Sequence, residues 1–263
     1  MDPALQAAAT GMMAQQTRTE VIANNLANVN TTGFKRSHAT FVDLLYQTVQ
    51  GAQTVSNPDA NTTPAIQVGR GTRLAGITRN HSQGPMVQTQ RPLDVAIDGE
   101  GFFQVQLANG QNAYTRDGSF QISDQGMIVT SEGLSVVPGI KVPTNAAGVT
   151  ISANGIVSVA NADGTTTTAE LGRIEMARFV NPSGLQSMGS NLYQATPASG
   201  EPATGFPQDE GLGRLHQGYL EGSNVEVVQE MVDMIDAMRA YEINSKAVKN
   251  SESMAQIANN LVA

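Results

Sequence analysis

Apolar side chains recur with a helical period at the two ends of the chain and with a period of two in its middle. Near the start, Leu5, Met12 and Leu26 share a seven-residue spacing with Thr19, and Ala8, Ile22 and Val29 share another with Gln15. This is a heptad seam weakened by two polar members. Gly11 weakens the helix further, by roughly 1 kcal/mol relative to alanine. Asp2 and Pro3 suit a helix start. Gly33 suits a C-terminal cap, with Phe34 folded back on the last turn. At the other end Val227, Met234, Tyr241, Val248, Ala255 and Val262 recur every seven residues, beside a second row of Ala240, Ile243, Ala247, Met254, Ile257 and Leu261. Ser223 and Asn224 supply capping groups and Glu226 a first-turn acid. A helix with two apolar rows has more than one neighbour. The N-terminal helix supplies one, and with no third long helix in sight, other copies of the chain are expected to supply the rest.

The texture between the helices differs. Residues 37–49 read as a short helix or strand, and 50–72 as a polar, small-residue connector. From about residue 73 turn dipeptides such as Asp98-Gly99, Asn109-Gly110, Gln125-Gly126, Asn154-Gly155 and Asp163-Gly164 punctuate short runs such as Val95-Ala96-Ile97 and Phe102-Phe103-Gln104-Val105. That pattern predicts hairpins. Pro197 to Gly213 reads as a second polar connector. The expectation is an α+β fold: N- and C-terminal helices paired as an inner two-helix layer, with a β-rich hairpin domain inserted between them. Its segments are 1–35, a connector at 36–72, the β-rich part at 73–213, and 214–263 returning to pair with the first.

Composition narrows the function classes. The 263 residues include 26 glycines and 11 prolines, no tryptophan, and 5% aromatics, so much of the chain is turn and small-residue packing. The net charge of −8 argues against a nucleic-acid footprint. The absence of cysteine excludes disulfides, thiolate metal sites and cysteine nucleophiles. No window reaches the length of a membrane span, and the first residues lack the pattern of an ordinary secretory signal.

Candidate chemistry is sparse. His38, His81 and His216 fall in different segments with no metal-ligand spacing. Asp98, Asp117, Asp124 and Asp163 stand at or beside glycine turns, where aspartate is a turn former. Gly69-Arg70-Gly71 begins a dinucleotide-like pattern, but its third glycine is misplaced and no strand-to-helix unit surrounds it. Nothing assembles a nucleophile, a base and an oxyanion donor. The expectation is a non-enzymatic protein without cofactor or metal. Met12, Met13, Met231, Met234, Met238 and Met254 all lie in the two helices, and methionine suits a surface that meets several similar neighbours.

The asparagines of the first helix remain to be explained. Asn24, Asn25 and Asn28 are mediocre helix formers, yet they stand inside Ala23-Asn24-Asn25-Leu26-Ala27-Asn28-Val29-Asn30-Thr31-Thr32-Gly33-Phe34-Lys35. This stretch resembles the N-terminal signature of the bacterial flagellar axial proteins, the rod and hook family. Gly218-Tyr219-Leu220-Glu221-Gly222-Ser223-Asn224-Val225 and Arg239-Ala240-Tyr241-Glu242-Ile243-Asn244-Ser245-Lys246 resemble its C-terminal motif. Pro92-Leu93-Asp94-Val95-Ala96-Ile97, Gly101-Phe102-Phe103 and Tyr114-Thr115-Arg116-Asp117-Gly118-Ser119-Phe120 are similar to its β-domain. Length, a single middle domain and the connector at 50–72 look like the distal rod members. Proximal rod or hook-type subunits are the nearest rivals.

The resemblance implies a structural subunit that polymerises into a helical tube, encloses an export channel and transmits motor torque to the hook. It implies other rod proteins, hook-side proteins, a bushing ring and the type III export apparatus as partners, in a rod spanning the periplasm and reached without a cleaved signal. No nucleic acid and no direct membrane insertion are expected. The inner-layer interface residues are then Leu5, Met12, Ile22, Asn24, Asn25, Leu26, Asn28, Met231, Met234, Met238, Tyr241, Asn244 and Val248, with Gly33 and Phe34 marking the chain's exit. In such a lattice the asparagines are expected to bond neighbouring subunits and specify register, since a buried amide left unpaired costs about 1–3 kcal/mol. The terminal segments are expected to order on polymerisation, and 50–72 to stiffen the tube. Two other readings stay open: a free-standing coiled-coil protein with a ligand-binding β-domain, and a wall hydrolase.

Overall fold

The computed structural model describes residues 3–50, 65–143, 146–161, 168–209 and 211–262. The chain divides into two compact units. One comprises residues 1–27, 37–78 and 226–263, and the other 28–36 and 79–225.

The first unit is built on two helices, α1 (Pro3–Ala27) and α2 (Val227–Val262). At 1.5 Å per residue they are about 38 Å and about 54 Å long. They run antiparallel: Asn25 of α1 meets Glu230, Arg18 meets Asp233 and Gly11 meets Asn244. Residues 37–49 form strands rather than helix. Ser37–Asp43 pairs with Thr72–Arg79, and Tyr46–Gln50 pairs antiparallel with Ile66–Gly69, matching Tyr46 to Gly69 and Thr48 to Gln67. The connector expected at 50–72 is therefore partly strand; its residues 51–64 lie outside the described residues.

The second unit is a β structure. Its largest sheet runs in the order Gln186–Gly189, Leu192–Gln194, Asn112–Thr115, Phe102–Gln106, Ser135–Val136, Ile128–Thr130, Phe120–Ile122, with Met176–Arg178 also pairing with Phe102–Gln106. Turn glycines close several of its connections. Gly110 and Gly155, at φ 81° and 84°, sit in tight turns that the asparagine–glycine dipeptides predict. Period-two alternation gives the central strands two unlike faces. Phe103, Val105 and Ala113 face an aliphatic core with Val95, Ile128, Val157, Val159, Ile174 and Leu215. Phe102, Tyr114 and Tyr193 face the other way with Phe179 and Leu185, in edge-to-face contacts at 4.8–5.9 Å. The segment Pro197 to Gly213 is not a bare connector: Ala203–Gly205 adds a strand to Met176–Arg178, and Ser199 is wholly buried. Its polar composition reflects an edge position, where backbone pairing needs no apolar side chains.

Helix α1 stops at Ala27, six residues before Gly33. Gly33 is thus not the helix cap that the sequence suggests. It lies in the second unit at φ 67°, and a Cβ there would stand 2.7 Å from the amide nitrogen of Asp117. Glycine is needed for both reasons. Phe34 is buried nearby, with the Arg79 guanidinium 5.9 Å from its ring centre.

Candidate functional site

In the helical unit the contact between α1 and α2 is made largely from small and polar side chains, with Ile22 buried among them. The heptad row of α2 that turns inward is Glu230, Ala237, Asn244 and Ser251, of which Glu230, Ala237 and Ser251 are buried. A Cβ on Gly11 would lie 2.9 Å from Nδ2 of Asn244, so the glycine that weakens α1 as an isolated helix is what admits its neighbour. Ala8, Ala14 and Ile22 are buried on α1. Asn25 is 1% exposed and its amide is fully used: Nδ2 donates to the Ser37 carbonyl at 2.9 Å and to Glu230 Oε2 at 3.2 Å, and Oδ1 accepts from the Ser37 amide at 2.9 Å. This asparagine ties α1, α2 and the strand Ser37–Asp43 within one unit. Its role in register is internal to the chain, contrary to the sequence-based expectation that it meets a neighbouring subunit. Arg18 Nη2 adds an ion pair to Asp233 at 3.3 Å.

The large apolar side chains of α2 point elsewhere. Val228, Met231, Val232, Ile235, Met238, Tyr241, Ile243, Met254 and Ile257 are all exposed, as is Met13 on α1. Of the interface residues expected from sequence, Met231, Met238, Tyr241 and Asn24 stand exposed; Leu5, Met12, Leu26, Asn28, Met234, Asn244 and Val248 are half-buried; Ile22 and Asn25 are covered. The paired strands Tyr46–Gln50 and Ile66–Gly69 are just as bare, with Leu45 88% exposed beside Tyr46, Val49, Ile66 and Val68. A two-stranded ribbon with this much uncovered apolar surface is marginal by itself.

The second unit holds a buried polar junction that sequence reasoning missed. Lys35 Nζ donates to Glu221 Oε1 at 2.5 Å and to the Ser82 carbonyl at 2.7 Å. Arg116 Nη1 reaches Glu221 Oε2 at 3.3 Å, and the Gly84 amide donates to Oε1 at 2.9 Å. Lys35 and Glu221 are wholly buried and Arg116 nearly so. Burial lowers the affinity of both cations for their protons, and the Glu221 carboxylate opposes that shift. His81 stacks edge-on between Phe102 and Tyr193, at 5.6 and 5.4 Å. Burial first, then the charges of Lys35, Arg116 and Arg79, push its pKa down to about 4. Around this junction the segment 28–36 is held by further bonds. Asn191 Nδ2 donates to the Thr32 carbonyl at 2.8 Å, Thr32 Oγ1 to Asp117 at 2.9 Å, the Gly33 amide to the Glu221 carbonyl at 2.8 Å, and the Arg36 amide to Asn224 Oδ1 at 2.7 Å. Lys35 and Glu221 lie 186 positions apart, which no local spacing rule can pair.

The other candidate groups do not converge. His38 is exposed, and His216 lies 3.5 Å from Asp98. Asp98 is held below the usual carboxylate range, chiefly by a hydrogen bond from Arg214. Asp117 caps its own turn through Ser119, and Asp124 is exposed. Asp163 lies outside the described residues. Among the described residues no group of three or more acids and histidines is placed to hold a metal, and no helix is long and apolar enough to cross a membrane.

Three family models match the chain in order: the flagella basal body rod protein at residues 5–35, the flagellar hook protein FlgE/F/G D1 domain at 96–159, and the flagellar basal body rod FlgEFG protein C-terminal at 216–261. The chain is 50% identical to the flagellar basal-body rod protein FlgG of Borreliella burgdorferi, over 98% of both chains. It is 48% identical to FlgG of Buchnera aphidicola, over 97% of this chain and 98% of that one. Against the flagellar basal-body rod protein FlgF of Caulobacter vibrioides identity falls to 34%, over 98% and 97%. Matched over 97–98% of its length and more similar to these FlgG proteins than to that FlgF, the chain belongs to the FlgG family of flagellar basal-body rod proteins, structural subunits of the distal rod and not enzymes.

Proposed function

We propose that this chain polymerises into a helical tube in which α1 and α2 form the inner layer, around the channel that exports later subunits. The β unit forms the outer layer, and the assembled rod carries motor torque to the hook, turning within a surrounding ring. The observation that carries this reading is the exposed apolar row on α2. A helix pair that has already made its internal contact, and still leaves Val228, Met231, Ile235 and Met238 bare, has further neighbours to meet. Contacts between unlike surfaces of identical subunits generate rings, or open helical polymers where the rotation does not close, rather than isologous dimers. The paired strands 46–50 and 66–69 fit the same reading as an element packed between subunits that stiffens the tube. Arrival through the type III export apparatus and a rod crossing the periplasm complete the proposal.

Limited proteolysis of the purified monomer, read by mass spectrometry, tests it. The expected result is rapid loss of α2 and the paired strands, with 79–225 surviving and 28–36 retained on it. Assembly would then protect the lost segments. Equal resistance of α2 in the monomer would mean its exposed row needs no neighbour, and a free-standing helix pair would replace the polymer reading.

A further inference from the structure

The charge balance of the buried junction in the β unit carries a consequence for the order in which the unit closes. Two cations, Lys35 and Arg116, point into one site, and Arg79 and His81 face it as well. The carboxylate that both cations touch is Glu221. Of the nearby acids, Asp117 is bound to Ser119 and Thr32, and Glu100 acts on Arg116 without a hydrogen bond to it. Without Glu221, seating Lys35 would bury a second positive charge beside Arg116 with no anion between them. The backbone repeats the dependence, because the Gly33 amide donates to the Glu221 carbonyl.

We propose that Glu221 is the closing key of the β unit: the turn bearing Lys35 docks only once Glu221 is in place. Although Lys35 comes early in the chain, its segment is among the last to be fixed. The strands Phe102–Gln106 and Asn112–Thr115 can pair without it, since their contacts are local. For a subunit delivered as an extended chain, which rests on the export reading above, this holds the unit open until the segment bearing Glu221 has arrived. The refolding test below concerns the lock alone and does not depend on that delivery.

Pulsed hydrogen exchange during refolding of the full chain reads the order. The Asn80 amide, bonded to the Arg36 carbonyl, reports docking of the turn; the Gly222 amide, bonded to Pro85, reports arrival of Glu221; the Val137 amide, bonded to Gln104, reports the sheet. In the wild type Val137 is expected to be protected first, then Asn80 and Gly222 together. In Glu221→Gln, Asn80 is expected to lose about a hundredfold of its protection while Val137 stays within about threefold. Lys35→Met removes the buried cation that needs the anion and leaves Glu221 paired with Arg116, so Asn80 should become protected ahead of Gly222. Protection of Asn80 before Gly222 in the wild type, or equal losses at Asn80 and Val137 in Glu221→Gln, overturns the proposal. If Glu221→Gln does not fold, Lys35→Met decides alone, and an unchanged order in it sinks the idea.

Discussion

In the β unit Val95, Phe103, Phe120, Ile174 and Met176 are wholly buried, whereas in the helical unit Val228 is 76% exposed and Met254 63%. Both sets are large apolar side chains in regular secondary structure. Their different fates follow from what each unit can cover with its own chain. The hairpins of the β unit wrap a core on both faces of a sheet and leave only scattered apolar side chains, such as Val180 and Val87, exposed. Two helices touch along one line, and a helix bearing a polar inward row and apolar outward rows has inverted the usual pattern. One unit covers its own core; the other leaves large apolar side chains bare, which the proposed assembly would bury.

This contrast can be broken by removing what closes the β unit. Glu221→Leu leaves Lys35 and Arg116 buried without their anion and should cost the docked turn about 3–5 kcal/mol, read as a loss of hydrogen-exchange protection at the Asn80 amide that Val137 does not share. Acid should act on the same place through His81. Its ring is neutral when folded, with a pKa of about 4, while the unfolded chain binds the proton near 6.5. The unfolded state therefore binds more protons between those values. The stability contributed by the neutral ring is complete above about pH 6.5 and is lost as pH falls, on the order of 3 kcal/mol by pH 4. His81→Phe keeps an aromatic ring and should flatten the pH dependence of urea unfolding between 6.5 and 5. Gly33→Ala should cost about 2 kcal/mol or more, from its positive φ and the contact with the Asp117 amide, and thermal melting of the monomer would show it. The smallest effect on the monomer belongs to the other side of the comparison. Ile235→Ser with Met238→Ser should leave its unfolding within about 0.5 kcal/mol of wild type, yet abolish polymerisation followed by sedimentation. A large loss of monomer stability would erase the distinction between the units.

Much of this was legible in the sequence. The terminal helices follow from their heptads, the turns at Asn109-Gly110 and Asn154-Gly155 from their dipeptides, and family membership from motifs spread along the chain. What stayed hidden has a common physical cause. Heptad spacing says which residues share a face but not which face turns inward, and the small row of Glu230, Ala237, Asn244 and Ser251 carries no hydrophobic signal. The break after Ala27 was masked because helical spacing continues through Val29 to a plausible cap at Gly33. Lys35, Arg116 and Glu221 each read as ordinary charges, since their pairing exists only in three dimensions.

The inward row of α2 also sets how the helix pair bears load. Sliding α2 by one heptad would move Ala237 or Ser251 opposite Gly11 in place of Asn244, and would take Glu230 away from Asn25 and Asp233 away from Arg18. An oily seam tolerates such a slip, because one leucine serves as well as another. A seam of unlike polar teeth does not, so a pull along α2 reaches α1 as a ratchet held in its notch would pass it on, by engagement instead of friction.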